Sequence, residues 1–159
     1  MTAKAVTVLV LANHSELALS LIESFNPSSG KASALTPING FLGRYYNIDS
    51  GELELIAAPV SSDLPSIFDI LAEGLAGCIV AVDCTDPASL PNLRKGLEFW
   101  ELISDAPRLI ATVNHDTSQA LTPPQLREML NLSDGVRPFQ LPCGRLQPAI
   151  VELLKRILK

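Results

Sequence analysis

Charge is scarce in this chain of 159 residues: 18% of it is charged, with 12 basic and 17 acidic residues. Typical soluble domains carry about 25%. No basic run exists, because Lys and Arg are scattered. A nucleic-acid surface shows basic clustering, so that class is set aside. Aromatics are few as well, at 5%. The cysteines are Cys78, Cys84 and Cys143, an odd count without framework spacing. That pattern fits a reduced, intracellular protein rather than a disulfide-stapled one. The apolar stretch from Ala5 to Leu11 is too short for a signal peptide or a membrane span. The expectation is a cytoplasmic protein with no membrane span.

What is abundant is apolar surface, at 47% of residues. That excludes disorder as the main state. A chain of this length suits one domain and buries a substantial core. Ala5 to Leu11 (AVTVLVL), Gly77 to Asp83 (GCIVAVD) and Leu109 to Asn114 (LIATVN) are continuous apolar runs of strand length. Such runs mark strands buried on both faces, hence a parallel sheet between helices. Helical spacing runs through Glu16–Phe25, Pro65–Leu75, Leu90–Ile103, Pro123–Leu132 and Gln147–Leu158. Arg44–Ile48 and Leu53–Ala58, joined at Asp49-Ser50-Gly51, predict a hairpin. Asn26–Pro37 and Val60–Leu64 are rich in turn formers and predict loops; Phe139–Pro142 predicts a short last strand. The order β-α-β-β-α-β-α-β-α-β-α predicts one three-layer α/β/α domain over residues 1–159. Its expected sheet is mixed, mainly parallel and six-stranded.

Several local stretches, in order, point further. Thr36-Pro37 through Phe41-Leu42-Gly43-Arg44 resembles a switch segment followed by "FGR". Leu53-Glu54-Leu55-Ile56, then Pro59, is similar to a strand leading into "TPG". Phe68 to Gly77 resembles the helix after that switch, and Val80-Ala81-Val82-Asp83 the next strand. Asn114-His115-Asp116 stands where a guanine-reading motif stands, and Leu121 to Leu130 (LTPPQLREML) is similar to a following "s-p-e-e-l-R-e-a-L" helix. Together the series resembles the bacterial Ras-like small GTPases of the gliding-motility and conserved-operon type, which pair with roadblock-fold regulators. The resemblance implies a P-loop-NTPase-like G domain.

The nucleotide motifs of that family are degenerate here. A phosphate loop needs G-x-x-x-x-G-K-[ST], with glycines for backbone approach, a lysine for the outer phosphates and a hydroxyl for magnesium. The corresponding positions are Ala12, Leu17, Ala18 and Leu19. No lysine lies between Lys4 and Lys31, and no glycine precedes Gly30. Asn13 and Glu16 have capping-box spacing, with Ser15 a rival cap, and either would satisfy the helix start without an anion. The D-x-x-G motif falls on Ala57 and Val60, and N-K-x-D on Asn114, His115, Asp116 and Thr117. Asn114 alternatively starts a turn. Gly144 and Arg145 resemble the last base-binding loop, keeping its shape without a base. Losing about four charged hydrogen bonds costs on the order of 6–12 kcal/mol as a non-additive upper bound, roughly four to eight decades of affinity.

The expectation is therefore a pseudo-GTPase without catalytic residue, metal or cofactor. It acts by binding a protein: a roadblock-type regulator, a related GTPase or a second copy of itself. Phe41, Tyr45 and Tyr46 are the candidate partner-binding residues, on an expected edge strand. Two alternatives remain: an atypical nucleotide binder, or a small-molecule sensor using the crevice near His14, His115 and Cys143. Cys78 and Cys84 read as packing residues, Asp83 and Asp86 as caps, and Phe99 and Trp100 as core.

Overall fold

A computed structural model describes residues 6–12, 15–25, 31–32, 36–38, 41–48, 51–58, 75–114, 117–132, 136, 138–141 and 145–157. Its strands are β1 (Val6–Ala12), β2 (Lys31–Ala32), β3 (Thr36–Ile38), β4 (Phe41–Ile48), β5 (Gly51–Ala58), β6 (Leu75–Asp83), β7 (Arg108–Val113) and β8 (Phe139–Gln140). Its helices are α1 (Ser15–Ser24), α2 (Leu90–Ile103), α3 (Pro123–Leu130) and α4 (Gln147–Ile157), with a 3₁₀ turn at Pro87–Ser89 before α2.

The strands with apolar runs form the middle of the sheet. The order is β2-β4-β5-β1-β6-β7-β8, with β3 also paired to β4. The body of five strands, β5-β1-β6-β7-β8, is wholly parallel. Beyond β5 the chain adds β4, β2 and β3 by antiparallel pairing. The expected six-stranded mixed sheet is corrected accordingly: five parallel strands make the body, and the antiparallel pairing belongs to the extension. The physical reason is tertiary. Lys31–Ala32 and Thr36–Ile38 carry the turn-forming composition of the expected 26–37 loop, yet they return to hydrogen-bond with β4. Composition does not register a ladder that long-range pairing supplies.

Alternation along each strand builds two cores. Val8, Val10 and Ala12 of β1, with Leu53, Leu55 and Ala57 of β5, face α1 and α4, where Ala18, Leu21, Ile22, Ile150 and Leu153 meet them. Leu9 and Leu11 of β1, with Val80, Val82 and Ile110, face α2 and α3, where Leu93, Leu97, Trp100, Leu126 and Leu130 meet them. Helices thus cover both faces, as the doubly apolar strands require. α4 approaches β6 closely at Gly77, where an added Cβ would stand 3.1 Å from Leu153 Cδ2 and 3.2 Å from the Pro107 carbonyl oxygen. Ser24 ties the layers together: its hydroxyl donates to the Leu21 carbonyl at 2.6 Å and accepts from Leu146 N–H at 3.1 Å.

Helix boundaries follow their caps. Thr122 Oγ1 accepts from Gln125 N–H at 3.4 Å, and Gln125 Oε1 accepts from Thr122 N–H at 2.8 Å, a reciprocal capping box. Pro123 then suits the first turn, where a backbone donor is not needed. α3 stops at Leu130, two residues before the expected end, because Asn131 takes φ 55° and turns left-handed. The expected 65–75 helix falls mostly outside the described residues; Leu75, its last residue, starts β6 instead. Among the described residues no helix is long and apolar enough to cross a membrane.

Candidate functional site

Open α/β sheets bind ligands where neighbouring strands lead the chain in opposite directions, at their carboxyl ends. Here that point is β1 beside β6. The chain leaves β1 towards β5, and leaves β6 towards β7. The residues at the crevice are Ala12 at the end of β1, the start of α1, Ala57 near the end of β5, Asp83 at the end of β6 and Asn114 after β7.

Among the described residues, the β1–α1 side of the crevice is apolar and largely buried. Ala12 is 1% exposed and Ala18 is fully buried. Ala57 pairs in register with Val10 and belongs to the same core cluster as Ala12 and Ala18. Leu17 and Leu19 pack against that cluster, partly buried. α1 begins at Ser15, so Ser15, Glu16 and Leu17 are already helical where a phosphate loop would still be open. Glu16 adds an acidic residue to that first turn, where negative charge meets the positive end of the helix dipole. Asn13, His14 and Val60 lie outside the described residues, so the expected Asn13–Glu16 box has no structural counterpart to report.

The β6–β7 side is polar and already engaged. Asp83 Oδ1 accepts from Thr85 N–H at 3.0 Å, from Thr85 Oγ1 at 2.6 Å and from Asn114 Nδ2 at 3.1 Å. Asn114 has φ 57°, a left-handed conformation that Asn tolerates better than most residues. Its amide N–H₂ thus donates to a carboxylate on the neighbouring strand, while the turn expected to start through its side-chain oxygen runs into residues 115–116, outside the described residues. The turn donor is Thr117, whose hydroxyl reaches the Asn114 carbonyl at 3.3 Å. Thr117 and Asn114 are both exposed. Asp86 does not cap the 3₁₀ turn with its side chain; instead its Oδ2 accepts from Ser89 Oγ at 2.9 Å. His115, Asp116, Cys143 and Gly144 fall outside the described residues, and Arg145 is exposed ahead of α4.

The expected partner strand needs correction. Phe41, Tyr45 and Tyr46 are all in β4, but β4 is not an edge. It pairs with β5 on one side, and on the other with β3 through Phe41–Gly43 and with β2 through Tyr46–Asn47. A partner cannot add a strand to β4 at those positions while β2 and β3 occupy them.

Cys84 follows β6 and is fully buried, as is Cys78 within it. Burial pushes the Cys84 thiol from 9.0 up to about 11, with the nearby Asp83 charge adding to the rise. Burial pushes Cys78 up further, against a smaller opposing pull from Arg108. Both thiols are therefore protonated and inert near neutrality. The linkage has a definite sign. The unfolded chain loses these protons near pH 9 while the native state keeps them, so stability falls as pH rises above 9. Each thiol contributes a slope of at most about 1.4 kcal/mol per pH unit. Urea unfolding at pH 8, 9 and 10 should show this decline, and Cys78→Ala/Cys84→Ala should flatten it. An unchanged slope in the double variant would refute the assignment.

A second feature went unread in the sequence: Thr112, the single Thr in LIATVN. Thr112 lies on the face of β7 covered by α3 and is 2% exposed. It lines a cavity of about 290 Å³ with Cys84, Leu121, Pro123, Leu126, Arg127, Pro138 and Gln140. Among the described residues no group of three His, Cys, Asp or Glu side chains is placed to hold a metal ion. No family model matches the chain, and no curated protein matches it.

Proposed function

We propose that this chain is a pseudo-GTPase: a G-domain-like module that binds a protein partner and does no nucleotide chemistry. The observation that carries the reading is the start of α1. The position corresponding to the phosphate-binding lysine, Ala18, is a fully buried core residue one turn into a helix. The strand order supports the G-domain part. The five parallel strands β5-β1-β6-β7-β8 are compatible with a P-loop-like α/β fold. The loss of base reading is supported by the residues beside Asn114, since His115 and Thr117 stand where the motif has its lysine and its specificity aspartate.

In this reading the crevice is fixed by packing, so the surface it presents does not depend on a γ-phosphate. A roadblock-type regulator or a related GTPase is the partner the resemblance favours, with self-association as the other arrangement. The test is the nucleotide content of the purified protein. Denatured protein, chromatographed by ion exchange, should release no guanine nucleotide above the buffer blank. A stoichiometric GDP or GTP peak would overturn the proposal.

A further inference from the structure

Two surface patches carry properties that the proposed function does not use. Among the described residues the exposed large apolar side chains are Leu102, 83% exposed, and Val151, 47% exposed. Each stands beside uncompensated charge, and the two charges have opposite signs.

Val151 lies in a groove of about 630 Å³ between α4 and β8, the last strand in the sheet order. Phe139 and Arg145 line one side; Pro148, Val151, Glu152 and Lys155 of α4 line the other. Those four positions are spaced i, i+3, i+4 and i+7, so they share one helix face. The opposite face, with Ala149, Ile150 and Leu153, is locked in the core. Glu152 Oε1 faces Arg156 Nε at 3.8 Å. Arg145 and Lys155 are exposed and form no ion pair among the described residues. The groove therefore has an apolar floor and a positive rim.

Leu102 is its counterpart. It projects from the last turn of α2, a turn without a basic residue. Glu98 and Glu101 beside it are bonded to Arg94 at 2.9 Å and to Arg108 at 2.7 Å. Asp105, just past the helix, is exposed and forms no ion pair among the described residues. A single exposed leucine is ordinary. What distinguishes this one is the match in both hydropathy and charge to a groove on the same chain. α2 and α4 pack on opposite faces of the sheet. The knob therefore cannot reach its own groove, and the contact between copies is heterologous, head to tail.

We propose that this chain self-associates head to tail: Leu102 of one copy enters the groove of the next beside Phe139 and Val151, and Asp105 meets the positive rim. None of these residues belongs to the β1–β6 crevice, so the proposal stands apart from the pseudo-GTPase reading.

The test is sedimentation equilibrium of the full chain. Its average mass should rise above the monomer with concentration, and fall back as salt screens the rim charges. Leu102→Lys removes the knob and keeps the groove. Val151→Glu spoils the groove and keeps the knob. Both positions are exposed, so denaturant midpoints should match the parent. Each variant alone should associate at least about tenfold more weakly. Mixed in equal amounts, the two should form a one-to-one dimer and nothing larger, because one intact knob and one intact groove remain to meet. A monomer at every concentration would overturn the proposal and leave the groove to a different partner. Parental association by either variant would overturn the location. Two weakened variants whose mixture stays monomeric would overturn the head-to-tail arrangement.

Discussion

Replacing Ala18 with lysine should unfold this protein or nearly so, and should not make it bind GTP. Ala18 is fully buried and sits among Val8, Val10, Leu21, Ile22, Leu53 and Leu55 in the core beneath α1. A lysine there must give up its charge or expose it. Depressing a lysine from about 10.4 to below neutrality costs on the order of 5 kcal/mol at about 1.4 kcal/mol per pH unit. The added methylenes overfill the site for roughly a further 1–3 kcal/mol. Together these approach the whole stability of an ordinary domain, about 5–15 kcal/mol. The measurement is urea unfolding of Ala18→Lys against the parent, with and without millimolar magnesium GTP. A loss below about 1 kcal/mol would mean that the side chain reaches solvent along an open crevice. A rise in stability with GTP would mean that a phosphate site persists there.

The second large effect lies on the opposite face of the sheet. Trp100 is 1% exposed on α2 and belongs to the core formed with Leu9, Leu11, Val80, Val82 and Ile110. Trp100→Ala removes the largest fully buried side chain of the described core, and such truncations cost about 3–5 kcal/mol. Trp100→Phe keeps most of the volume and should cost well under half of that. Denaturant midpoints at constant slope test both. Comparable losses for Phe and Ala would show that the site needs the full indole shape rather than most of its volume. Ala18 and Trp100 share no core cluster, so their variants probe the two layers independently.

The parts of the fold written in local pattern were legible in the sequence. α2 runs from Leu90 to Ile103 as its spacing predicts, and α4 begins at Gln147 as predicted. β6 and β7 fall within two residues of the apolar runs that announce them. The parts that depend on distant partners were not legible. β2 and β3 exist because β4 offers a free edge, and nothing in residues 31–38 alone requires a strand. For the same reason Tyr45 and Tyr46 belong to an inner strand rather than an exposed one. At the site, the apolar character of Ala12, Ala18 and Ala57 was plain from residue type. That the three join one core needed the fold. Asn114 was visible as a strand-end amide, but its partner Asp83 is 31 residues away and only the parallel register of β6 with β7 brings them together. Thr112 stood out little from its apolar neighbours, because burial without a partner is a property of the packed sheet.

The most direct test of the central claim is calorimetric titration of the intact protein with GTP, GDP and ATP in magnesium buffer. A phosphate side whose motif positions Ala12, Ala18 and Ala57 belong to the core predicts no binding heat up to millimolar nucleotide. Micromolar or tighter binding of GTP or GDP would contradict the account. It would mean that the junction between Ala12 and Ser15 opens to hold phosphate by contacts other than a lysine and two glycines.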